Sequence, residues 1–244
     1  MINKILLQSI LNKYHLGVNQ SVKWVVKDNN LKIDFMSPTK DIIGKISCSN
    51  FKLEDSEIAI YDTKKLSNLL SICQGELLLE LEKSHKIYTK LHISDASFNV
   101  TYALSDPLLM AKIGTVNIPE WVVEINLEQE NVNNLIKAKS ALGETDNMLF
   151  TTTQNLDGED ICEFVFGDEA GHNNKITYQI SGDIKEKSMK IPFNSEMFKS
   201  ILQVNKDMEE GKIFVSSMGL MKLEFKTDTV SSEYFMVRKA ETSF

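Results

Sequence analysis

The sequence predicts an α+β protein built from two similar halves, each with a mostly antiparallel β-sheet and two short helices. Three observations carry this reading. Two stretches, Glu57–Ile72 and Met189–Asn205, share one design: a short alternating strand that runs into a capped helix. Three strand-like segments follow each of them. Upstream of each, the order is again a helix and then three strands. Self-similarity of this kind is the mark of an internal duplication.

In the first half, the spacing predicts a helix over Asn3–His15, with Ile2, Ile5, Leu6, Ser9, Ile10 and Lys13 on one side and Lys4, Gln8, Asn12 and His15 on the other. Gly17 is placed to end it. Val22–Val26 and Leu31–Phe35 read as strands around the turn Asp28-Asn29-Asn30, and Ile42–Cys48 as a third. Ile58 and Ile60 alternate, and Asp62 stands where an N-cap belongs. Leu66, Leu69, Leu70 and Cys73 then form an apolar face opposite Lys64, Lys65, Asn68 and Ser71. Glu76–Glu82, Lys86–Ile93 and Ser97–Leu104 complete the half.

The second half repeats this. Trp121–Ile125 is a strand, and Asn126 caps a helix with Gln129 in the capping-box position. Val132, Leu135, Ile136 and Lys139 share its inner face, and Gly143 ends it. Met148–Gln154, Ile161–Phe166 and Lys175–Ser181 are strands, the last two separated by the polar loop Asp168–Asn174. Met189, Ile191 and Phe193 alternate, and Asn194 is the second cap. Phe198, Ile201, Leu202 and Asn205 point inward; Ser195, Lys199, Gln203 and Lys206 point outward. Lys212–Ser217, Leu220–Lys226 and Ser232–Arg238 close the chain. The domains expected are 1–105 and 121–244, joined by an apolar connector, 106–120. In each half the simplest packing lays both helices on one face of the sheet.

Composition bounds the function. The 244 residues are 42% hydrophobic and 25% charged, ordinary for a globular protein. A net charge of −7 argues against a generic basic nucleic-acid binder. Cys48, Cys73 and Cys162 are odd in number and lie in apolar patterns, which predicts buried free thiols in a reducing compartment. No run approaches a membrane span, and Gln8 and Ser9 interrupt the apolar start, so a cytoplasmic protein is expected, with no membrane partner. His15, His85, His92 and His172 lack zinc spacing. Gly211-Lys212 is followed by Ile213, so it is no P-loop, and Glu209-Glu210 and Glu159-Asp160 fall in predicted turns. The expectation is a protein that is not an enzyme and needs neither metal nor cofactor.

Certain segments carry a resemblance. Ile58-Ala59-Ile60-Tyr61-Asp62 with Leu66, Leu69, Leu70 and Ser71 resembles the matching segment of the DNA polymerase sliding clamps of T-even-type bacteriophages. So do Val123-Glu124-Ile125 with Leu135 and Ile136, and the finish Tyr234-Phe235-Met236-Val237 with an acidic, polar tail to Phe244. The chain departs from that pattern in its longer loops and in Trp121 beside the connector. The resemblance implies a DNA-clamp fold in which three two-domain subunits form a closed ring. It implies a processivity factor that encircles duplex DNA, tethers the replicative DNA polymerase, is loaded by a separate clamp-loader ATPase and supports factors of phage late transcription.

In such a ring the helices line the bore. The four predicted helices carry +5 while the rest of the chain carries −12. Lysine is also a good helix former on exposed faces, which by itself explains the pattern about as well. The DNA-facing candidates are Lys4, Lys13, Lys64, Lys65, Lys137, Lys139, Lys199 and Lys206; Lys13 and Lys139 also fit the inward stripe. For partner peptides the candidates are Leu108, Leu109, Met110, Ile113, Ile118, Pro119 and Trp121, which could equally pack the halves together. The competing reading is a non-enzymatic β-rich structural or interaction module of a phage, which would need no homotrimer.

Overall fold

The computed structural model describes residues 1–143, 145–155, 157–167 and 174–239. The predicted 168–174 loop, apart from Asn174, and the tail to Phe244 lie outside these residues. The chain forms two compact units: Met1–Thr115 with Asp228–Ser232, and Val116–Thr227 with the chain from Glu233 onward.

The first unit begins with β1 (Ile2–Asn3) and α1 (Lys4–His15). Asn3 caps α1 by accepting from the Ile5 N–H at 2.9 Å. The buried stripe of α1 is Leu7, Ile10, Leu11 and Tyr14, and Ile5 is 75% exposed. This corrects the expected inner face of Ile5, Leu6 and Ser9. The i, i+3, i+4, i+7 set that starts at Leu7 is apolar without a break and includes the large Tyr14 ring. Leu16, in the left-handed region with φ 46°, is the C-cap, and Gly17 follows it.

β2 (Val22–Lys27), β3 (Asn30–Met36), β4 (Ile42–Cys48) and β5 (Ser56–Ile60) form an antiparallel sheet in the order β4-β3-β2-β5. Asp28 and Asn29 both have positive φ, the geometry of a two-residue hairpin turn, and both residue types tolerate it. Phe35 pairs with Gly44 across β3 and β4, and its ring covers the glycine so closely that a Cβ there would sit 2.1 Å from it. Then α2 (Thr63–Ser71) carries the chain to a second antiparallel sheet, β1-β6-β7-β8, made with β6 (Glu76–Ser84), β7 (Ile87–Ser94) and β8 (Asn99–Ala103).

The expected single sheet per half is therefore two sheets. The strand before α2 pairs back onto β2, and the first strand after α2, β6, pairs with β1. Tyr102 fixes this crossing. Its hydroxyl accepts from the Asp62 N–H at 2.9 Å and donates to the Asp62 carbonyl at 3.1 Å. Burial pushes its pKa up to about 12, so the hydroxyl keeps its proton. Asp95, in the β7–β8 turn, accepts three backbone N–H bonds: Gln74 at 2.5 Å, Ser97 at 2.7 Å and Phe98 at 2.6 Å. These hold its carboxyl below the usual aspartate range, the Phe98 bond first among them.

The second unit repeats the plan. β9 (Val123–Leu127) leads into α3 (Gln129–Ala141). The cap is Glu128, whose N–H donates to Asn131 Oδ1 at 2.8 Å, and not the expected Asn126. Val123, Ile125 and Leu127 keep alternating into the core, so the strand runs two residues further before the helix starts. β10 (Asn147–Gln154), β11 (Asp160–Gly167), β12 (Lys175–Ser181) and β14 (Lys190–Asn194) form one antiparallel sheet, β12-β11-β10-β14; β13 (Asp183–Ile184) pairs with β9 in the other. α4 (Ser195–Val204) follows, then β15 (Glu210–Ser216), β16 (Leu220–Lys226) and β17 (Val230–Val237), which extend the second sheet as β13-β9-β15-β16-β17.

Asn194 caps α4 by accepting from the Glu196 and Met197 N–H groups, both at 3.1 Å. Ser195, expected on the outer face, is buried at the first position of α4, where its hydroxyl donates to the Thr145 carbonyl. The inner faces of α3 and α4 are the predicted ones. Asn205 is the polar member of that set. It is fully buried and donates to the Ile201 carbonyl at 2.8 Å and to Tyr234 Oη at 3.1 Å, so burial leaves this amide satisfied.

Candidate nucleic-acid interface and client-docking surface

The helices pair within each unit, α1 against α2 and α3 against α4. The α2 cap brings the first lysines into position. Asp62 accepts from the Lys65 N–H at 2.8 Å, and the turn that starts there sends Thr63 inward and Lys64 and Lys65 into solvent. In the second unit Lys137 and Lys206 are exposed and Lys199 is half-buried. Gln129 Nε2 donates to the Lys206 carbonyl at 2.8 Å and ties the start of α3 to the end of α4.

Three of the eight DNA-facing candidates are buried or bonded within the fold. Lys13 is 2% exposed and Lys139 is 1% exposed. Lys139 Nζ donates to the Gly143 carbonyl at 2.9 Å and forms an ion pair with Glu196. A charge buried that deeply must be paired, and Lys139 is used to join the end of α3 to the start of α4. This corrects the expectation that Lys13 and Lys139 reach a ligand from the surface. Lys4 is half-buried, and its ammonium donates to the Ser71 carbonyl at 2.9 Å and to the Cys73 carbonyl. It satisfies the carbonyls at the C-terminal end of α2, where a cation is favoured. What remains is an exposed pair on α2, Lys137 on α3, the half-buried Lys199 on α4, and Lys206 just past the end of α4.

The docking candidates fall into two groups. In the first unit, Pro107–Leu109 is one 3₁₀ turn capped by Asp106, which accepts from the Leu108 N–H at 2.9 Å. That turn leaves Leu108 90% and Leu109 74% exposed. Met110 and Ile113 are half-buried. Two neighbouring exposed leucines on an ordered turn form an anchor-like feature rather than scattered apolar surface. In the second unit Ile118 is 57% exposed, and Pro119 and Trp121 are half-buried. The Trp121 ring lies 5.9 Å from Phe214, and both line a cleft of about 290 Å³ with Glu120, Glu124, Asp183 and Lys185.

Phe214 was not among the sequence candidates. Its signal was available: in β15, Ile213 and Val215 take the buried phase, so Phe214 is a large apolar residue on the outer phase of an alternating strand. Lys222 Nζ sits 4.9 Å from the centre of its ring. Cys48, Cys73 and Cys162 are free and buried, and burial pushes the Cys48 thiol up to about 11 and Cys162 to about 12, so neither is a nucleophile. Among the described residues no group of three His, Cys, Asp or Glu side chains could hold a metal ion, and no helix is long and apolar enough to cross a membrane.

No protein-family model matches the chain, and no curated protein does. Solved structures do. The PCNA of A. fulgidus, bound to the C-terminal region of FEN-1, superposes with a TM-score of 0.79 at 13% identity, covering 99% of this chain and 98% of that one. PCNA from Entamoeba histolytica gives 0.76 at 14%, over 98% and 96% of the two chains. The PCNA2–PCNA3 complex from Sulfolobus tokodaii gives 0.75 at 14%, over 99% and 98%. The fold is the DNA-clamp fold of PCNA-type sliding clamps, with antiparallel sheets and few helices.

Proposed function

We propose that this chain is a sliding clamp: a non-catalytic processivity factor that encircles duplex DNA and tethers the replicative DNA polymerase. The observation that carries the reading is the clamp fold over nearly the whole chain. Charge supports it. α1 and α2 contain no aspartate or glutamate, and Lys64 and Lys65 stand exposed on α2 in a chain of net charge −7. A sliding protein gains from few, weak phosphate contacts, since many strong ones would hold it in place. Lys64, Lys65, Lys137, Lys199 and Lys206 form the proposed DNA-facing set.

The assembly is a homotrimer closed head to tail, with domains 1–105 and 121–244 and the connector 106–120 in each subunit. β8 ends one sheet of the first unit and β12 ends one sheet of the second. An open strand edge needs a partner or protection. On this reading β8 of one copy pairs with β12 of the next, a heterologous contact that repeats until the ring closes. A separate clamp-loader ATPase opens the ring. Clients dock through Leu108, Leu109, Met110 and Ile113, and through Ile118, Pro119, Trp121 and Phe214. The A. fulgidus PCNA holds the C-terminal region of FEN-1, so a neighbour of this fold accepts a client's terminal segment. The T-even phage type, the cytoplasm of an infected host as the location and a role in late transcription rest on the sequence resemblance.

Light scattering on the purified protein tests the assembly. The reading expects three times the 27.7 kDa chain mass. A stable monomer or a two-fold dimer at micromolar concentration would leave the β-rich interaction module as the better description.

A further inference from the structure

We infer that a basic cleft at the end of β17 is a docking site for an acidic segment of a partner protein, read by Arg238. The inference goes beyond the clamp reading and needs only the geometry of the second unit. The cleft, of about 350 Å³, is lined by Lys190, Ile191 and Pro192 of β14, by Ser217 of the β15–β16 turn, and by Arg238 and Lys239 where the chain leaves β17. Three other clefts of this unit have carboxylates in their walls: Glu120, Glu124 and Asp183 in one, Glu124 and Asp183 in the next, Glu210 and Glu224 in the third. Among the described residues this one has three cations in its walls, Lys190, Arg238 and Lys239, and no carboxylate.

Two backbone bonds fix the chain at two of these cations. The Arg238 N–H donates to the Gly219 carbonyl at 2.7 Å, and the Lys239 N–H donates to the Pro192 carbonyl at 2.8 Å. Gly219 has φ 84°, and a Cβ on it would lie 2.5 Å from Arg238 Cδ. The arginine stem therefore rests on the one residue type that leaves room for it. Among the described residues Arg238 has no ion-pair partner. Of the 27 basic residues in the chain, Arg238 is the single arginine. A planar guanidinium takes a carboxylate through two parallel hydrogen bonds, which an ammonium cannot do.

The shape selects a peptide over nucleic acid. The cleft has the volume of one or two side chains and cannot admit a duplex backbone. Ile191 and Pro192 give it an apolar wall. β14 is the edge of its sheet, and its Pro192 carbonyl is already taken by the Lys239 N–H of this chain, so the side chains and not that edge are left for a ligand. A short segment with an Asp or Glu beside an apolar residue matches the guanidinium and the apolar wall.

The single arginine supplies its own probe, because the full-length protein has one arginine Nε–Hε signal in a nitrogen–proton correlation spectrum. The ligand probe is a short blocked peptide, Gly-Leu-Asp-Glu-Asp-Leu-Gly, beside its Asn/Gln isostere and a short DNA duplex. The acidic peptide should move the arginine signal and the isostere should not. Arg238→Gln should weaken binding about tenfold or more and Arg238→Lys by less, while Lys52→Gln, at an exposed lysine of the first unit, leaves it unchanged. Three results would overturn the inference: a signal that stays put when the acidic peptide is in excess, equal shifts with both peptides, or a shift with the duplex and none with the acidic peptide.

Discussion

The capped helices α2 and α4 occupy the same place in the two units and use the same device, yet they spend their first turns differently. In both, a short polar side chain, Asp62 or Asn194, accepts from backbone N–H groups, and a buried hydroxyl residue, Thr63 or Ser195, follows. The next residue is Lys64 in one and Glu196 in the other. Lys64 points to solvent; Glu196 reaches the buried ammonium of Lys139. The same backbone thus gives an exposed cationic surface in the first unit and an internal helix-to-helix tie in the second. α1 and α2 contain no carboxylate, whereas Glu130 and Glu196 lie on α3 and α4. A duplication fixes geometry and leaves the charge free to diverge, so the two helix pairs should not contribute equally to a function that depends on charge.

The largest effect is expected on DNA. Lys64→Glu with Lys65→Glu should cut the fraction of protein loaded on nicked circular DNA far more than Lys137→Glu with Lys206→Glu, with the light-scattering mass unchanged for both. Equal losses would remove the asymmetry between the helix pairs. Next comes the internal tie. Glu196→Ala leaves a buried ammonium without its counter-charge and should cost about 2 kcal/mol in urea unfolding. Lys139→Met removes the charge and keeps the stem, and should cost less, about 1 kcal/mol. The reverse order would mean that the ion pair matters less than the packing.

On the docking surface, Leu109→Ala with Ile113→Ala should abolish binding of a polymerase tail peptide and shift stability by no more than about 0.5 kcal/mol for the exposed Leu109. Trp121→Ala and Phe214→Ala should act alike, because their rings share one cleft.

The smallest effect concerns pH. Asp95 has a folded pKa below its unfolded value of about 3.9. Its three backbone bonds therefore contribute stability above that unfolded value, and the contribution fades as pH falls through the lowered folded one. Asp95→Asn should be less stable than the parent at pH 7, and the gap should narrow in acid. A gap that does not change with pH would mean the ionised form is not what the turn holds.

What could be read in the sequence was local. The caps at Asp62 and Asn194 need only their own three residues, and the inner faces of α3 and α4, and of α2 apart from the half-buried Leu69, follow from spacing alone. α1 misled because Ile5 and Leu6 extend an apolar pattern that the tertiary structure leaves outside, while the Leu7–Tyr14 stripe goes in. Asn126 has the side chain of a cap, but Leu127 continues the alternation of β9, so the helix starts two residues later, with Glu128 as its cap. The inward places of Lys13 and Lys139 follow from their spacing, but what pairs a buried ammonium comes from elsewhere in the fold; for Lys139 one partner lies on a helix 57 positions away at Glu196. The division into two sheets depended on β5 pairing with β2, a long-range choice that local patterns do not record. Phe214 and Arg238 were visible as an out-of-phase aromatic and a lone arginine, but only the neighbouring strands make them walls of clefts.

The central claim is that the protein holds DNA by enclosing it. It should be loaded on a nicked circle by a clamp-loader ATPase, washed at rising salt, and followed before and after the circle is cut. The account predicts retention on the intact circle at salt that strips ordinary phosphate binders, and release once the DNA has an end to slide from. Retention that falls steeply with salt and does not respond to cutting would contradict it.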